Sequence, residues 1–314
     1  MSGSIYDGLE QVPADFGPSA CTIGVFDGVH RGHRALVRRV LADAERNELI
    51  PTVVTFDRHP LALIAPGREP KMLSTVQERA QIFLSLGIRA VVVLAFDEEL
   101  RGLPAERFVS DILVERLRAK RITIGANFRF GKDQAGTIQT LDELSSIYGY
   151  ETNIFALQMD DDQIVSSSLV RKHLADGQVE RAASELDRPF RLTGTVERGA
   201  GRGKGLGFPT ANLRIDPAMI VPKVGVYAGW AIIEDGQRVP MAVNIGFNPT
   251  FEDRSEPVVE AFLLDFDQDL YGRELTLEFL HRLRDEAKFD TPEALIEQIA
   301  DDVVRTRDLL GLDH

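Results

Sequence analysis

The rhythm of apolar residues changes partway along the chain, and that change restricts the fold more than anything else in it. From residue 20 to about 180, short apolar runs alternate with stretches of helical periodicity, the βα pattern that yields a parallel sheet covered by helices. The runs are Cys21 to Phe26, Thr52 to Phe56, Ala90 to Phe96, Ile122 to Gly125 and Asn153 to Leu157. Between them Leu36, Val37, Val40, Leu41 and Ala44 recur at helical spacing, as do Phe108, Ile112, Leu113 and Leu117, so each stretch has one face to lay on a sheet. This predicts a doubly wound α/β domain. Ligands in such sheets bind beyond the carboxyl ends of the strands, which makes the loops after Phe26, Phe56 and Gly125 the expected seat of chemistry.

After Arg188 and Pro189 the pattern becomes short β-rich segments separated by Gly, Pro and Asp: Phe190 to Val196, Gly225 to Ile233, Val239 to Ile245, Val258 to Asp265 and Leu275 to Phe279. They read as antiparallel β, a small barrel. A final helix opens with Thr291 as N-cap and Pro292 at its first position, and presents Leu295, Ile296, Ile299 and Val303 as its apolar face. Ser167 to Leu186 reads as two short helices turned at Gly177. The expected domains are residues 1–184 and 185–314.

Charge narrows the functional classes. Among 314 residues, 36 are Lys or Arg and 49 are Asp or Glu, a net charge of −13 that argues against nonspecific duplex binding and hence against a nucleic-acid role. The longest apolar stretch, Ala90 to Phe96, is far short of the roughly 20 residues a membrane helix needs. A lone cysteine, Cys21, excludes an intrachain disulfide or a cysteine-rich zinc site. Met1 to Gly8 shows no basic segment followed by an apolar one, and we expect a cytoplasmic protein. The sequence offers no reading of oligomeric state.

Two strings carry chemistry. Ile23 to His33 reads Ile-Gly-Val-Phe-Asp-Gly-Val-His-Arg-Gly-His, at the junction of the first strand and first helix. Gly24 and Gly28 allow close backbone approach, the helix start offers free amides, and His30 and His33 stand three residues apart, sharing one face of the turn. Together they form an anion site in which two imidazoles can stabilise charge developing in a nucleotidyl transfer. A bare His-x-x-His is more often a surface pair. The surrounding Phe-Asp-Gly-x-His-x-Gly-His after a strand is far rarer, and resembles the His-x-Gly-His nucleotidyltransferase superfamily, a Rossmann-like fold.

Gly199 to Leu213 reads Gly-Ala-Gly-Arg-Gly-Lys-Gly-Leu-Gly-Phe-Pro-Thr-Ala-Asn-Leu. Arg198, Arg202, Lys204 and Arg214 occur there without an intervening acid, a cationic island in a domain of 15 Lys plus Arg and 24 Asp plus Glu. Such a glycine-rich loop suits phosphate, with Mg²⁺ held by the neutral oxygens of Thr210 and Asn212 beside phosphate oxygens. It is not a Walker loop, because Gly-Lys-Gly lacks the following Ser or Thr. The string resembles riboflavin kinase, and its union with the first string resembles the bacterial bifunctional riboflavin kinase/FMN adenylyltransferase family, in an actinobacterial-like branch, over nearly the whole length.

That resemblance implies two ATP-dependent steps on small-molecule substrates. The first domain would transfer AMP from ATP to FMN, with Gly24, Phe26, Asp27, His30 and His33 in its nucleotide loop. Asp57 and His59, in Thr55 to Pro60, and Asn127, Phe128 and Phe130, in Gly125 to Gly131, match its nucleotide and flavin loops, with Phe108 a further flavin candidate. Ser166, Ser167, Ser168 and Arg171 resemble a Ser-Ser-Thr-x-x-Arg motif for phosphates. The second domain would phosphorylate riboflavin, with Gly201, Arg202, Gly203, Lys204 and Gly207 over the nucleotide, Thr210 and Asn212 holding Mg²⁺, Glu260 as general base and Arg284 on the flavin side. Arg58, Gln134 and Asn248 stand where the family usually has Pro, Arg and Arg, and they motivate the alternative of a flavin or nucleotide sensor with one decayed active site.

Overall fold

The computed structural model describes residues 3–155, 159–160, 163–199, 207–247 and 257–313. The chain clusters into two compact units, Met1–Ser166 and Ser167–His314.

In the first unit, strands β1 (Ser4–Asp7), β2 (Ser19–Ile23), β3 (Ile50–Phe56), β4 (Ala90–Leu94), β5 (Ala119–Gly125) and β6 (Glu151–Phe155) form one parallel sheet in the order β1-β4-β3-β2-β5-β6. The chain proceeds outward from β2 on one side and returns to place β5 on the other, so the topological switch point lies at the carboxyl ends of β2 and β5. Strands β2 and β4 are wholly buried, as apolar runs without alternation require when both sheet faces are covered. On one face α1 (Arg31–Arg46) and the helix Val76–Ser85 supply Leu36, Val37, Val40, Ala80 and Phe83 to a core with Val53 and Val91. On the other, Phe108, Ile112, Leu113, Leu141 and Leu144 pack on Val54, Val92 and Ile122.

Besides α1, the α-helical pieces before β5 are α2 (Leu61–Ile64), α3 (Val76–Ser85), α4 (Glu98–Gly102) and α5 (Ala105–Arg107), the last running into a π-helix over Phe108–Arg116. The periodic residues Phe108, Ile112 and Leu113 are buried as expected, but within the wider i→i+5 turn. Helix α6 (Ile138–Tyr148) precedes β6, and a two-stranded ribbon, β7 (Met159–Asp160) and β8 (Gln163–Ile164), follows it.

The second unit begins with α7 (Ser167–Ala175) and α8 (Val179–Leu186), joined at Gly177 with φ of 78°. Strands β9 (Phe190–Glu197), β10 (Thr210–Ile215), β11 (Gly225–Ile233), β12 (Arg238–Gly246), β13 (Val258–Leu263) and β14 (Glu274–Arg284) close an antiparallel barrel in the order β10-β13-β12-β11-β14-β9. Helix α8 packs on β9 and β14. Helix α9 (Pro292–Leu310) starts with Thr291 Oγ1 accepting the Ala294 amide, as expected. Of its expected inward face, Leu295, Ile299 and Val303 are half-buried and Ile296 is exposed, and the polar Asp302 and Thr306 are buried beside them. The cause is an ion pair, since Arg284 of β14 grips Asp302 at 2.8 Å and the Thr306 hydroxyl donates to the Asp302 carbonyl.

Candidate functional sites

The first site is built where β2 ends. Gly24 donates to the Val54 carbonyl at 3.1 Å, which ties the turn to β3, and a Cβ on Gly24 would lie 3.0 Å from the Phe26 ring. Phe26, Gly28 and Val29 all have positive φ (52°, 76° and 42°), so the chain coils tightly before α1. Phe26 folds inward against Phe83 of α3 and meets His33 edge-on, with ring centroids 5.4 and 5.1 Å away. It is a wall of the site from beneath, which accounts for its burial.

His30 is the N-cap of α1. Its Nδ1 accepts the His33 amide at 3.4 Å, and the two imidazoles stack with centroids 3.6 Å apart and planes at 21°. Because Nδ1 of His30 is an acceptor, the neutral ring carries its proton on Nε2. Nδ1 of His33 is buried and makes no hydrogen bond among the described residues. Burial, followed by the neighbouring His30 and Arg79, pushes the His33 pKa well below its ordinary 6.5. The result is a stacked imidazole pair, its His33 neutral, at a helix start without an acid in its first turn, a setting that favours phosphate oxygens.

Asp27 serves this turn rather than facing outward. Its buried carboxylate accepts from the Leu73 amide (3.0 Å) and the Ser74 amide (3.2 Å), while Ser74 Oγ accepts from Gly28 N–H at 3.0 Å. Asp57, after β3, is likewise an anchor: Oδ1 accepts the Phe96 amide at 2.8 Å and Oδ2 pairs with Arg58 at 2.9 Å. The unusual Arg58 thus has a defined partner. His59 Nδ1 accepts the Leu61 amide at the start of α2. Arg79, which the sequence reading passed over, lies wholly buried under both loops and donates to the Val25 and Phe56 carbonyls at 2.9 and 3.1 Å.

Past β5, Asn127 and Arg129 are exposed and Phe128 is half-buried. With Ala126, Thr137, Ile138 and Gln139 they line a cavity of about 240 Å³ at the start of α6. Phe108 and Phe130 belong to the core, at 4% and 6% exposure, so of the three aromatics proposed for flavin only Phe128 keeps an accessible ring. Phe128 stacks on Phe130, centroids 5.5 Å apart. Thr137 and Thr140 cap α6 reciprocally, and Gln134 is exposed in the preceding turn.

In the second unit, Asn212 on β10 stands opposite Glu260 on β13, and Glu260 stands opposite Asn244 on β12. Val259, Ala261 and Leu263 point into the barrel, so alternation puts Glu260 on its outer face, half-buried, in line with Asn212 and Asn244. Thr210 lies two residues before Asn212 on the same face, opposite Phe262, whose ring meets Phe208 edge-on at 5.4 Å. A Cβ on Gly199 would fall within 2.6 Å of the Asn212 amide, so Gly199 itself lies directly against this row. Gly207 is exposed; Gly201, Arg202, Gly203, Lys204 and Asn248 lie outside the described residues. Arg284 is committed to Asp302 and lies 5.9 Å from the Phe289 ring centre, with Gly246 and the Glu286 carboxylate near the same end of β12. Asn244 joins this row through its register with Glu260, a cross-strand placement that has no signal in sequence.

Ser166 closes the first compact unit, and Ser167, Ser168 and Arg171 open α7 in the second. Among the described residues no cluster of three His, Cys, Asp or Glu suited to a metal occurs.

Comparison with known proteins matches residues 12–169 to the family model described as FAD synthetase and residues 186–310 to that described as Riboflavin kinase. The chain is 34% identical over 304 residues to the "Bifunctional riboflavin kinase/FMN adenylyltransferase" of Escherichia coli (strain K12), covering 97% of this chain and 96% of that one. Proteins of the same description from Pseudomonas fluorescens and Bacillus subtilis (strain 168) are 36% identical over 302 residues and 34% over 288, at 96% and 90% coverage of both partners. A solved structure described as "Crystal Structure of Macrolide-efflux Protein from Streptococcus pneumoniae" superposes with a TM-score of 0.83 at 29% identity, over 98% of this chain and 99% of that one. Among the described residues of the present chain no helix is long and apolar enough to cross a membrane.

Proposed function

The chain belongs to the bifunctional riboflavin kinase/FMN adenylyltransferase family, and from that premise we propose how its residues divide the two reactions. It carries a FAD synthetase domain and a riboflavin kinase domain, and both reactions of the family use ATP and small-molecule flavins. The sensor alternative is not favoured: bifunctional relatives span the full length.

Residues 1–184 form the adenylyltransferase in this reading and residues 185–314 the kinase. In the first, an FMN phosphate oxygen attacks the α-phosphorus of ATP and pyrophosphate leaves. The Nε2–H groups of His30 and His33 donate to phosphate oxygens as charge develops, a form of electrostatic stabilisation without a covalent intermediate. Gly24 and Gly28 permit close backbone approach, while Phe26, Asp27, Asp57 and His59 keep the two loops in register. Asn127 and Phe128 bind the nucleotide and flavin rings, and Ser166, Ser167, Ser168 and Arg171 take phosphate oxygens.

In the kinase, Glu260 accepts the proton of the ribityl 5′-hydroxyl as its oxygen attacks the γ-phosphorus of ATP. A positioned base of this kind contributes about 10²- to 10⁴-fold. Thr210 and Asn212 offer two neutral oxygens, with Glu260 and Glu197 opposite Asn212 on the two flanking strands, a donor set that fits Mg²⁺ completing its shell with water and phosphate. When bound, that ion neutralises charge on the phosphates. The glycine loop through Gly201, Arg202, Gly203, Lys204 and Gly207 covers the nucleotide, and Arg284 braces the flavin side through Asp302. We further read the protein as cytoplasmic, of an actinobacterial-like branch, and without nucleic-acid or membrane partners.

The register of Asn212, Glu260 and Asn244 on one outer face is the observation that carries the kinase assignment, with the stacked histidines as its counterpart in the first unit. The decisive experiment supplies purified protein with riboflavin, ATP and Mg²⁺ and separates products by chromatography. FMN and then FAD are expected; absence of both would refute the reading.

A further inference from the structure

Arg79 is one of the largest fully buried side chains among the described residues. A guanidinium remains charged in proteins, and burying it demands partners. Here the partners are two backbone carbonyls. One belongs to Val25, inside the His-x-Gly-His turn, and the other to Phe56, at the head of the loop that carries Asp57 and His59. The Val25 carbonyl also accepts from the Thr55 hydroxyl at 3.2 Å, so the same oxygen is held from β3 and from α3. Nε of Arg79 is buried without a hydrogen-bonding partner, and no carboxylate pairs with the guanidinium among the described residues.

The helix bearing Arg79 is itself fixed at the site end. Thr75 and Glu78 form a reciprocal capping box, and the two residues before Thr75 are those whose amides hold Asp27. The geometry points to Arg79 as a positioning residue for adenylyl transfer: its rigid fork joins the turn carrying His30 and His33 to the Thr55–Pro60 loop, so that both present their groups to one bound nucleotide. A planar fork can bridge two carbonyls at a fixed separation, which an ammonium cannot do. This inference rests on the functional reading above for what the two loops do, and on the hydrogen bonds alone for how they are joined.

The test compares Arg79→Met with Leu84→Ala in the full-length chain. Leu84 lies in the last turn of α3, beside Gly3 and far along the helix from the two carbonyls, and serves as a control for general destabilisation. FAD formation from FMN and ATP is expected to fall about tenfold or more in Arg79→Met, chiefly in kcat, because small misplacements of reacting groups are costly to rate. FMN formation in the second unit is expected to stay within about twofold by the same token. Hydrogen exchange is expected to quicken together in peptides covering residues 24–33 and 55–60, and not in Leu84→Ala. Equal loss of FAD formation in both variants, or loosening confined to one of the loops, overturns the inference. Should Arg79→Met fail to fold, Arg79→Lys is put through the same comparison. If the wild-type chain forms no FAD, the functional reading fails, while hydrogen exchange still decides whether Arg79 joins the loops.

Discussion

His30 and His33 lie face to face, their ring centroids 3.6 Å apart, with Nδ1 of His30 accepting the His33 amide. Two imidazolium ions at that separation would repel, and His33, its pKa held well below 6.5 by burial and by His30, is the neutral member. Loss of one preorganised donor is typically worth about 10²- to 10³-fold in rate. His30→Ala is therefore expected to slow FAD formation by about 10² while FMN formation continues. Assaying both products from one reaction checks this; equal loss of both would contradict separate sites.

Acid should weaken the first unit by way of His33. Its pKa is held well below 6.5 by burial, His30 and Arg79, so the unfolded chain takes up a proton that the folded chain refuses. Stability therefore rises with pH between the folded value and about 6.5, and is lost as pH falls through that window. The midpoint of the first unit's calorimetric transition is expected to drop between about pH 7 and pH 5.5, and His33→Asn to flatten the slope. A parallel slope in that variant would assign the effect elsewhere.

Glu260 faces Asn212 across β10 and β13, on the outside of a closed barrel whose interior it does not help to fill. Glu260→Gln should therefore leave folding nearly unchanged and cut FMN formation by about 10² or more. FAD formation from supplied FMN should persist. A comparable fall in both products would indicate a structural effect.

The neutral oxygens of Thr210 and Asn212 bind a divalent ion weakly without phosphate, so chelation with EDTA is expected to stop riboflavin phosphorylation and readdition of Mg²⁺ to restore it. Asn212→Ala is expected to raise the Mg²⁺ concentration for half-maximal FMN formation without altering that for FAD formation. Titration of Mg²⁺ in each assay separates the two.

Asp27 is the buried acceptor for the Leu73 and Ser74 amides. Asp27→Ala leaves both donors unsatisfied, and the first unit is expected to lose about 3 kcal/mol, from 1–3 kcal/mol for each orphaned group. Urea unfolding of that unit measures the loss. Unchanged stability would mean that water replaces the carboxylate.

The sheet and barrel were readable because their strands are buried on both faces or alternate cleanly: Ala90–Leu94 is unbroken, and Val258–Leu263 alternates. Strand β1, Ser-Ile-Tyr-Asp, was not, because four half-exposed residues carry too short a pattern. On the C-terminal helix Leu295, Ile299 and Val303 do turn inward, but the buried Asp302 and Thr306 had no signal, since the tie between Arg284 and Asp302 joins residues 18 apart. Site residues that announce themselves, such as His30, His33, Thr210 and Asn212, were found by their strings. Asn244 and Arg79 were not: one acquires its place from strand register, the other from the folding of two distant loops above it. Asp27 was named as part of the nucleotide loop, but its bonds to the Leu73 and Ser74 amides could not be read, because they lie some 46 residues away in sequence.

Strand β1 is hydrogen-bonded only to β4, some 86 residues later in the chain. During synthesis, then, the earliest strand described here leaves the ribosome without a neighbour and must wait until Ala90–Leu94 has emerged and β4 has itself settled beside β3. Made before its partner, β1 is among the last strands of its sheet to be seated, and for that interval Ile5 and Tyr6 have no strand beside them. Slow dilution from urea and ribosomal release should consequently reach the same sheet by different routes, with the N-terminal edge the segment on which a chaperone has longest to act.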